Sequence, residues 1–300
     1  MSEQHTHEFH DTCLDYQPLE QIMAIYQRNS SLTEDELFEM DDTEFRARMR
    51  ERSHHTLEIQ LYANGYRGKT LSDKQADIAK KFLRVWDRKG LSHDLPEYKY
   101  VTFLVESADK LSKGEALDLS AYKTHEITPQ IEEDFFTVLY ERRSVREFKD
   151  KEVPDELIDK ILKAGLWAAH GCNVQSIRYV VVRDKNEPGL FKGSDVPGGP
   201  VHIVICQDMR CYRANDFTPN RNRLLDAGAA GQNIVLAAHA VGLEGVWLTF
   251  TGEEFCERLR KRFALPDYIR LVTYVDVGYG DQTPHPPLRQ SVEEAVLGRY

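Results

Sequence analysis

Three arginines and a serine fall within the stretch Glu141-Arg142-Arg143-Ser144-Val145-Arg146-Glu147-Phe148, in a chain of 300 residues whose formal net charge is -10. An arginine fork matches phosphate oxygens bidentately, and a neighbouring hydroxyl adds one more donor. Arg142, Arg143, Ser144 and Arg146 therefore have the composition of a site for a doubly charged phosphomonoester. A few clustered cations suffice for so small an anion, whereas a polyanion needs many. Glu141 and Glu147 leave a second account open, a solvated or salt-bridged turn. His5, His7, His10 and Cys13 in HTHEFHDTC offer donors that a metal accepts. No second ligand group is spaced to close a tetrahedral site, and an acidic terminal tail is the plainer account, so no metal is assigned.

The elements that must position these residues sharpen from about residue 131. VPDELIDKILKAGLWAA (153–169) opens on Pro154 and repeats Leu157, Ile158, Ile161, Leu162 and Leu166 at helical spacing. RYVVVRD (178–184), VHIVICQD (201–208), GVWLTF (245–250) and IRLVTYVDVGYG (269–280) read as strands, being short β-branched runs between polar or Gly/Pro stretches. RLLDAGAAGQNIVLAAHAVG (223–242) reads as a long helix whose small residues allow close approach, suiting a buried central helix or a dimer core, and EEFCERLRKRFAL (253–265) as another helix. Asp226 falls at the start of the former, where a helix N-terminus favours a carboxylate. The expected fold class is α+β, a sheet covered by helices.

Residues 1–130 read as a mostly helical, acidic extension. ADIAKKFLRVWDRKG (76–90) puts Ile78, Phe82, Val85 and Trp86 on one face and stops at Gly90. LTEDELFEMDDTEFRARMRER (32–52) starts with the capping box Thr33/Glu36. YKYVTFLVES (98–107) fits a strand or a buried helix turn equally. Residues 1–44 carry 12 acidic side chains and a single basic one, so the rest of the chain is close to neutral. Neither part has the clustered basic face that nucleic acid requires. No run of about 18 apolar residues marks a membrane span, and the first 30 residues lack signal-peptide order, so the expected location is the cytoplasm. Five cysteines, odd in number and without a C-x-x-C pair, argue against a disulfide framework, a zinc ribbon or a ferredoxin-type cluster.

Four segments in order resemble the nitroreductase superfamily of FMN-dependent oxidoreductases: RRSVREF (142–148), AAHGCNVQSIRYVVV (168–182), LDAGAAGQNIVLAAHAVGLEGVWL (225–248) and VDVGYGDQTPHPPLRQSVEEAV (275–296). The resemblance covers about residues 131–300 and leaves the extension outside. It implies that Arg142, Arg143, Ser144 and Arg146 hold the FMN phosphate and ribityl chain, with Arg289 completing the phosphate site. It implies that Asn173 and Gln175 hydrogen-bond the polar edge of the flavin from the partner subunit of an intertwined homodimer, and that the backbone of Leu248, Thr249 and Phe250 lies against the ring near N5. The chemistry implied is ping-pong hydride transfer from NAD(P)H to a small electron-poor acceptor such as a quinone or nitroaromatic. A chain without G-x-G-x-x-G fits a nicotinamide that visits the flavin face.

Three places depart from the family pattern: Ala169-His170 and Ser176-Ile177 replace Pro-Ser and Pro-Trp, and Thr249-Phe250 stand where glycines are common. They leave substrate choice open. His170 is a candidate substrate contact, set against a helix C-terminal cap; Cys172 is read as lining, not as a nucleophile. The superfamily's other chemistries (reductive dehalogenation, azoline oxidation, flavin fragmentation) and a non-catalytic FMN-binding or partner-docking role remain the alternatives.

Overall fold

The strand Val201–Asp208 is buried along its whole length, as its nearly unbroken apolar run requires of a strand covered on both faces. In the computed structural model, which describes residues 18–67, 71, 73–118, 120–194, 196 and 199–300, this strand sits inside a four-stranded sheet. In chain order the elements are helices α1 (Leu19–Ser31), α2 (Glu34–Glu39), α3 (Asp42–Ser53), α4 (Ile59–Arg67), α5 (Asp73–Arg88), α6 (Pro96–Ser112), α7 (Pro129–Glu141) and α8 (Asp155–Leu166), then strands β1 (Ile177–Arg183) and β2 (Val201–Asp208), helix α9 (Asn220–Ala240), strand β3 (Glu244–Leu248), helix α10 (Glu253–Arg262), strand β4 (Ile269–Gly278) and helix α11 (Val292–Ala295). The sheet order is β1-β2-β4-β3. β1 runs antiparallel to β2 from Ile177↔Gln207 to Arg183↔Val201, and β3 antiparallel to β4 from Glu244↔Gly278 to Leu248↔Tyr274.

The chain divides into two compact units. One comprises Met1–Lys123 with Ala169–Ser176 and Asp208–Asp226, the other Thr124–Ala168, Ile177–Gln207 and Ala227–Tyr300. The segments 169–176 and 208–226 are thus part of the first unit. His5, His7, His10 and Cys13 lie outside the described residues.

In the second unit, strand alternation sorts the side chains between two cores. Ile203, Ile205, Val275 and Val277 pack with Ile158 and Ile161 of α8 and with Ala227, Ala230, Ile234 and Ala238 of α9. On the other face Val204, Cys206, Val246, Leu248 and Tyr274 pack with Phe191 and with Phe255 and Leu259 of α10. The small residues of α9 make room for a neighbour: a Cβ on Gly231 would stand 2.9 Å from Cε2 of Trp247.

In the first unit Ile78, Phe82, Val85 and Trp86 are buried together with Phe45, Met49, Leu57, Val101 and Leu104. The ambiguous stretch 98–107 lies within α6, whose Val101, Leu104, Val105 and Ala108 recur at helical spacing on the buried face. Residues 32–52 form two helices. The Thr33/Glu36 capping box starts α2, but Met40 turns extended and Asp41 recaps the chain by accepting from the amides of Thr43 and Glu44. An Asp side chain that offers the backbone an alternative partner interrupts a helix in this way.

Gly245 in β3 has no room for a side chain, because a Cβ there would meet the Asp276 carbonyl oxygen at 2.9 Å and Val277 Cγ1 at 3.3 Å. Gly245→Ala is expected to lower the unfolding free energy by about 1–3 kcal/mol, since backbone cannot yield as a side-chain tip can. Chemical denaturation followed through the sheet-borne Trp247 measures it.

Candidate functional site

The arginine stretch begins where α7 ends. Arg142 leaves the helix in an extended conformation, and the chain then runs between two strand ends. Ser144 bridges Gly245 at the start of β3, and Phe148 bridges Gly280 just past β4. The Val145 amide donates to Gly245 O (3.3 Å) and the Lys149 amide to Tyr279 O (2.8 Å). Oε1 of Gln282 accepts from the amides of Arg146 (2.5 Å) and Glu147 (3.3 Å). Val145, 1% exposed, is the anchor between flanking arginines.

The guanidinium groups so placed have backbone partners. Arg143 donates to Tyr140 O and Arg142 O, Arg146 to Ser144 O, and Arg289 to Leu288 O. Among the described residues no carboxylate comes within ion-pairing distance of Arg142, Arg143, Arg146 or Arg289, in contrast to Arg28, Arg46, Arg48, Arg50, Arg52, Arg84, Arg88, Arg183, Arg210, Arg213 and Arg262. Of the local account, the salt-bridged form with Glu141 and Glu147 is not built among the described residues. Burial lowers the pKa of Arg142, repulsion from Arg289 and Arg143 lowers it further, and Glu244 opposes them. Arg289, distant in sequence, thus lies within the electrostatic field of Arg142.

At the other end of β3, the Leu248 carbonyl accepts from the Thr273 hydroxyl, which also accepts from Trp247 Nε1 at 2.6 Å. Thr249 is exposed. The Phe250 ring stacks on Tyr274 (5.1 Å) and meets Phe255 edge-on (5.4 Å). The bulk that departs from the family's glycines is therefore absorbed by the aromatic core.

His170, Asn173 and Gln175 belong to the first unit, on a loop that departs from ordinary backbone. Cys172, Asn173 and Gln175 have φ of 51°, 51° and 53°, the left-handed region that costs a non-glycine residue about 1–3 kcal/mol and persists where the surroundings over-determine it. The surroundings here are a closed ring of hydrogen bonds. His170 Nε2 lies 3.0 Å from both the amide and Oγ of Ser176. Ser176 Oγ donates to Tyr212 OH at 2.9 Å, and Tyr212 OH donates to Asp226 Oδ2. Asp226 also accepts from the Gly171 amide at 2.8 Å and faces His170 Nδ1 at 3.3 Å. Because the Ser176 amide makes Nε2 an acceptor, the ring proton is assigned to Nδ1, facing Asp226. Asn173 Oδ1 accepts from Gln175 Nε2 at 3.1 Å.

This arrangement corrects two sequence readings. α8 ends at Leu166, so His170 lies beyond the helix instead of capping it, and both its nitrogens are engaged in the loop. α9 starts at Asn220, so Asp226 lies in its second turn and serves the ring rather than the helix end. The ring also joins two departures from the family pattern, His170 and Ser176, as partners of each other. Ser176, Tyr212 and the Asp226 role were not legible in sequence, where the paired departures at 170 and 176 were the available signal. Burial raises the pKa of Cys172, which suits a lining residue.

The Nitroreductase family model matches residues 139–192 and 188–279. A protein of Methanothermobacter thermautotrophicus, named as an NADH dehydrogenase/NAD(P)H nitroreductase, is 32% identical over 157 residues, covering 50% of this chain and 80% of its own. The chain belongs to the nitroreductase family. A NADPH-flavin oxidoreductase of Vibrio harveyi is 28% identical, with 47% of this chain and 64% of that protein covered. The solved structure of a nitroreductase-like protein from Streptococcus mutans superposes with a TM-score of 0.50 at 22% identity, covering 56% of this chain and all of that one; this likeness bears on the fold. No described helix is long and apolar enough to cross a membrane.

Tyr212→Phe is expected to cost about 1–3 kcal/mol of stability, because it strips buried Ser176 and Asp226 of a partner; urea denaturation measures it. Burial pushes the Cys206 thiol up to about 12. Since the thiolate is the nucleophile, Cys206 should resist iodoacetamide at pH 8 in the native protein and react once urea is added, with peptide mass spectrometry as the readout.

Proposed function

We propose that this protein is an FMN-dependent oxidoreductase that draws hydride from NAD(P)H for a small electron-poor acceptor of the quinone or nitroaromatic type, and that it acts as a homodimer. The observation that carries this reading is the arginine cluster without carboxylate partners. In a chain with 49 acidic side chains, mutually repelling guanidinium groups held by backbone alone fit an external dianion as their counterion. The residues present suit the FMN phosphate, with Arg142, Arg143, Ser144, Arg146 and Arg289 as its binding set.

Asn173 and Gln175 are assigned to the polar edge of the flavin, in the family arrangement from the second subunit, and the Leu248–Phe250 backbone to the ring. His170 belongs to the cofactor-binding set as the support of that loop. When bound, FMN supplies hydride acceptance and donation. The protein's own residues then need only bind, orient and exclude. The charges fix the phosphate, the left-handed loop presents two amides, and the buried ring of His170, Ser176, Tyr212 and Asp226 holds that loop still. A protonated Cys172 is compatible with this division of labour, since no protein nucleophile is required. The names of the similar proteins, with NADH, NADPH and flavin among them, support the cofactor assignment.

The dimer has its own support. In α7 no residue is buried, and Ile131, Phe135, Phe136 and Tyr140 are exposed together, as are Leu288 and Leu297 toward the C-terminus. Apolar surface on this scale marks an interaction surface, and a second copy satisfies it. Cytoplasmic residence is part of the same reading, supported by described cysteines that are all free.

The absorption spectrum of the purified protein is the direct test. Bands near roughly 370 and 450 nm establish bound flavin, and a colourless protein indifferent to added FMN refutes the reading. Arg142→Ala with Arg289→Ala is expected to weaken FMN binding about tenfold or more in a flavin titration. NAD(P)H consumption that accelerates when a quinone is added separates an enzyme from a non-catalytic flavin binder.

A further inference from the structure

α3 is a charged helix in a buried place. Glu44, Arg48, Arg50, Glu51 and Arg52 are buried along with Phe45, Ala47 and Met49. Buried charges persist when paired, and most are paired with their own neighbourhood: Arg48 with Glu44, and Arg52 with Glu51. Arg50 differs in where its second hand goes. Its Nη1 donates to Glu97 Oε1 of α6 at 2.5 Å, and its Nη2 donates to the carbonyl of Val174 at 2.7 Å. Arg46 shares Glu97 from the next turn at 2.8 Å, so the carboxylate is a common counterion that aims the Arg50 fork.

Val174 is the residue between Asn173 and Gln175. It is fully buried among Ala47, Cys211, Tyr212 and Ala214, and it keeps helical φ while both neighbours are left-handed. The three carbonyls that follow the strained turn are each taken up. Val174 O accepts from Arg50, Gln175 O from Cys211 Sγ at 3.8 Å, and Ser176 O from the Asp208 amide at 2.8 Å. Of these donors, Arg50 alone carries charge, and it alone comes from the helical extension that the family match at 139–279 leaves out.

We propose that Arg50, steered by Glu97, is a positioning residue for the FMN-edge loop, and that the helical extension thereby sets the geometry of Asn173 and Gln175. The inference rests on the flavin reading given above. A guanidinium fork meets a carboxylate and a carbonyl at once, which a lysine ammonium on a flexible stem does less rigidly. The left-handed backbone at Asn173 and Gln175 gives the strut its purpose: without a donor on Val174 O the peptide between them is free to flip, and the two amides lose their shared direction.

The test uses the full chain and three variants. Arg50→Met with Glu97→Gln removes both buried charges and leaves Arg46, whose side chain is 34% exposed, an amide oxygen to donate to, and Arg50→Lys keeps a donor. Hydrogen exchange read by mass spectrometry, without flavin, should show protection across 171–176 falling at least about tenfold in the double variant, with 201–207 unchanged and Arg50→Lys intermediate. FMN affinity should fall about tenfold in the double variant. Adding Asn173→Ala and Gln175→Ala should then cost much less than in the wild-type background, because those amides are already misplaced. Unchanged exchange at 171–176, unchanged FMN affinity, or full additivity with the amide substitutions would each overturn the proposal. Failure of the wild-type protein to bind FMN is a different result: it strikes the function reading, while the exchange measurement still reports on the strut by itself.

Discussion

The backbone that gathers guanidinium groups without an ion-paired carboxylate, among the described residues, is the constraint on one end of the second unit's sheet. Arg289 and Arg143 both repel the half-buried Arg142, and like charges drawn together in a partly desolvated place must be held there by something else. Backbone does the holding. Ser144 and Phe148 bridge two strand ends, Gln282 caps two amides between them, and Val145 sinks into the core. At that point β3 and β4 approach so closely that a Cβ on Gly245 would stand 2.9 Å from the Asp276 carbonyl oxygen, and a Cβ on Gly280 would press on Glu244 at 3.0 Å.

The first unit solves the opposite problem. Its buried charges are matched inside the unit, and its strain is concentrated in three left-handed residues of one loop. Such backbone lasts only where every alternative leaves a buried polar group unsatisfied. Here the Ser176 amide goes to an imidazole, the Gly171 amide to a carboxylate, and the Val174 carbonyl to a guanidinium. The loop is then rigid because its donors and acceptors have no better place to go. Two substitutions away from the family pattern, at 170 and 176, make sense as one event, since the imidazole and the serine are each other's partners.

Legibility in sequence followed the range of the interaction. The helical face of Ile78, Phe82, Val85 and Trp86, the capping box at Thr33 and Glu36, and the four strands were readable because periodicity and capping act over a few residues. The interruption at Asp41 was missed because a side chain that caps in one direction looks like one more acidic residue on a helix. The choice between strand and helix at 98–107 came from burial of one face, which a short apolar run does not encode. Arginines at 46, 48, 50 and 52 look, in one dimension, like a solvated surface. Glu97, which pairs with Arg46 and Arg50, and Val174, which accepts from Arg50, lie far along the chain, and only folding brings them together.

By itself the sequence determined the chemical inventory and the local elements: a compact set of guanidinium groups near one hydroxyl, an α+β order of elements, and a pattern shared with flavin-binding relatives. These follow from residue type and short spacing, which folding does not alter. What only the tertiary structure decided is which charges are answered and which are not. Pairing depends on distances across units of chain a hundred residues apart, and a carboxylate four ångströms away in space leaves no trace in the order of the residues.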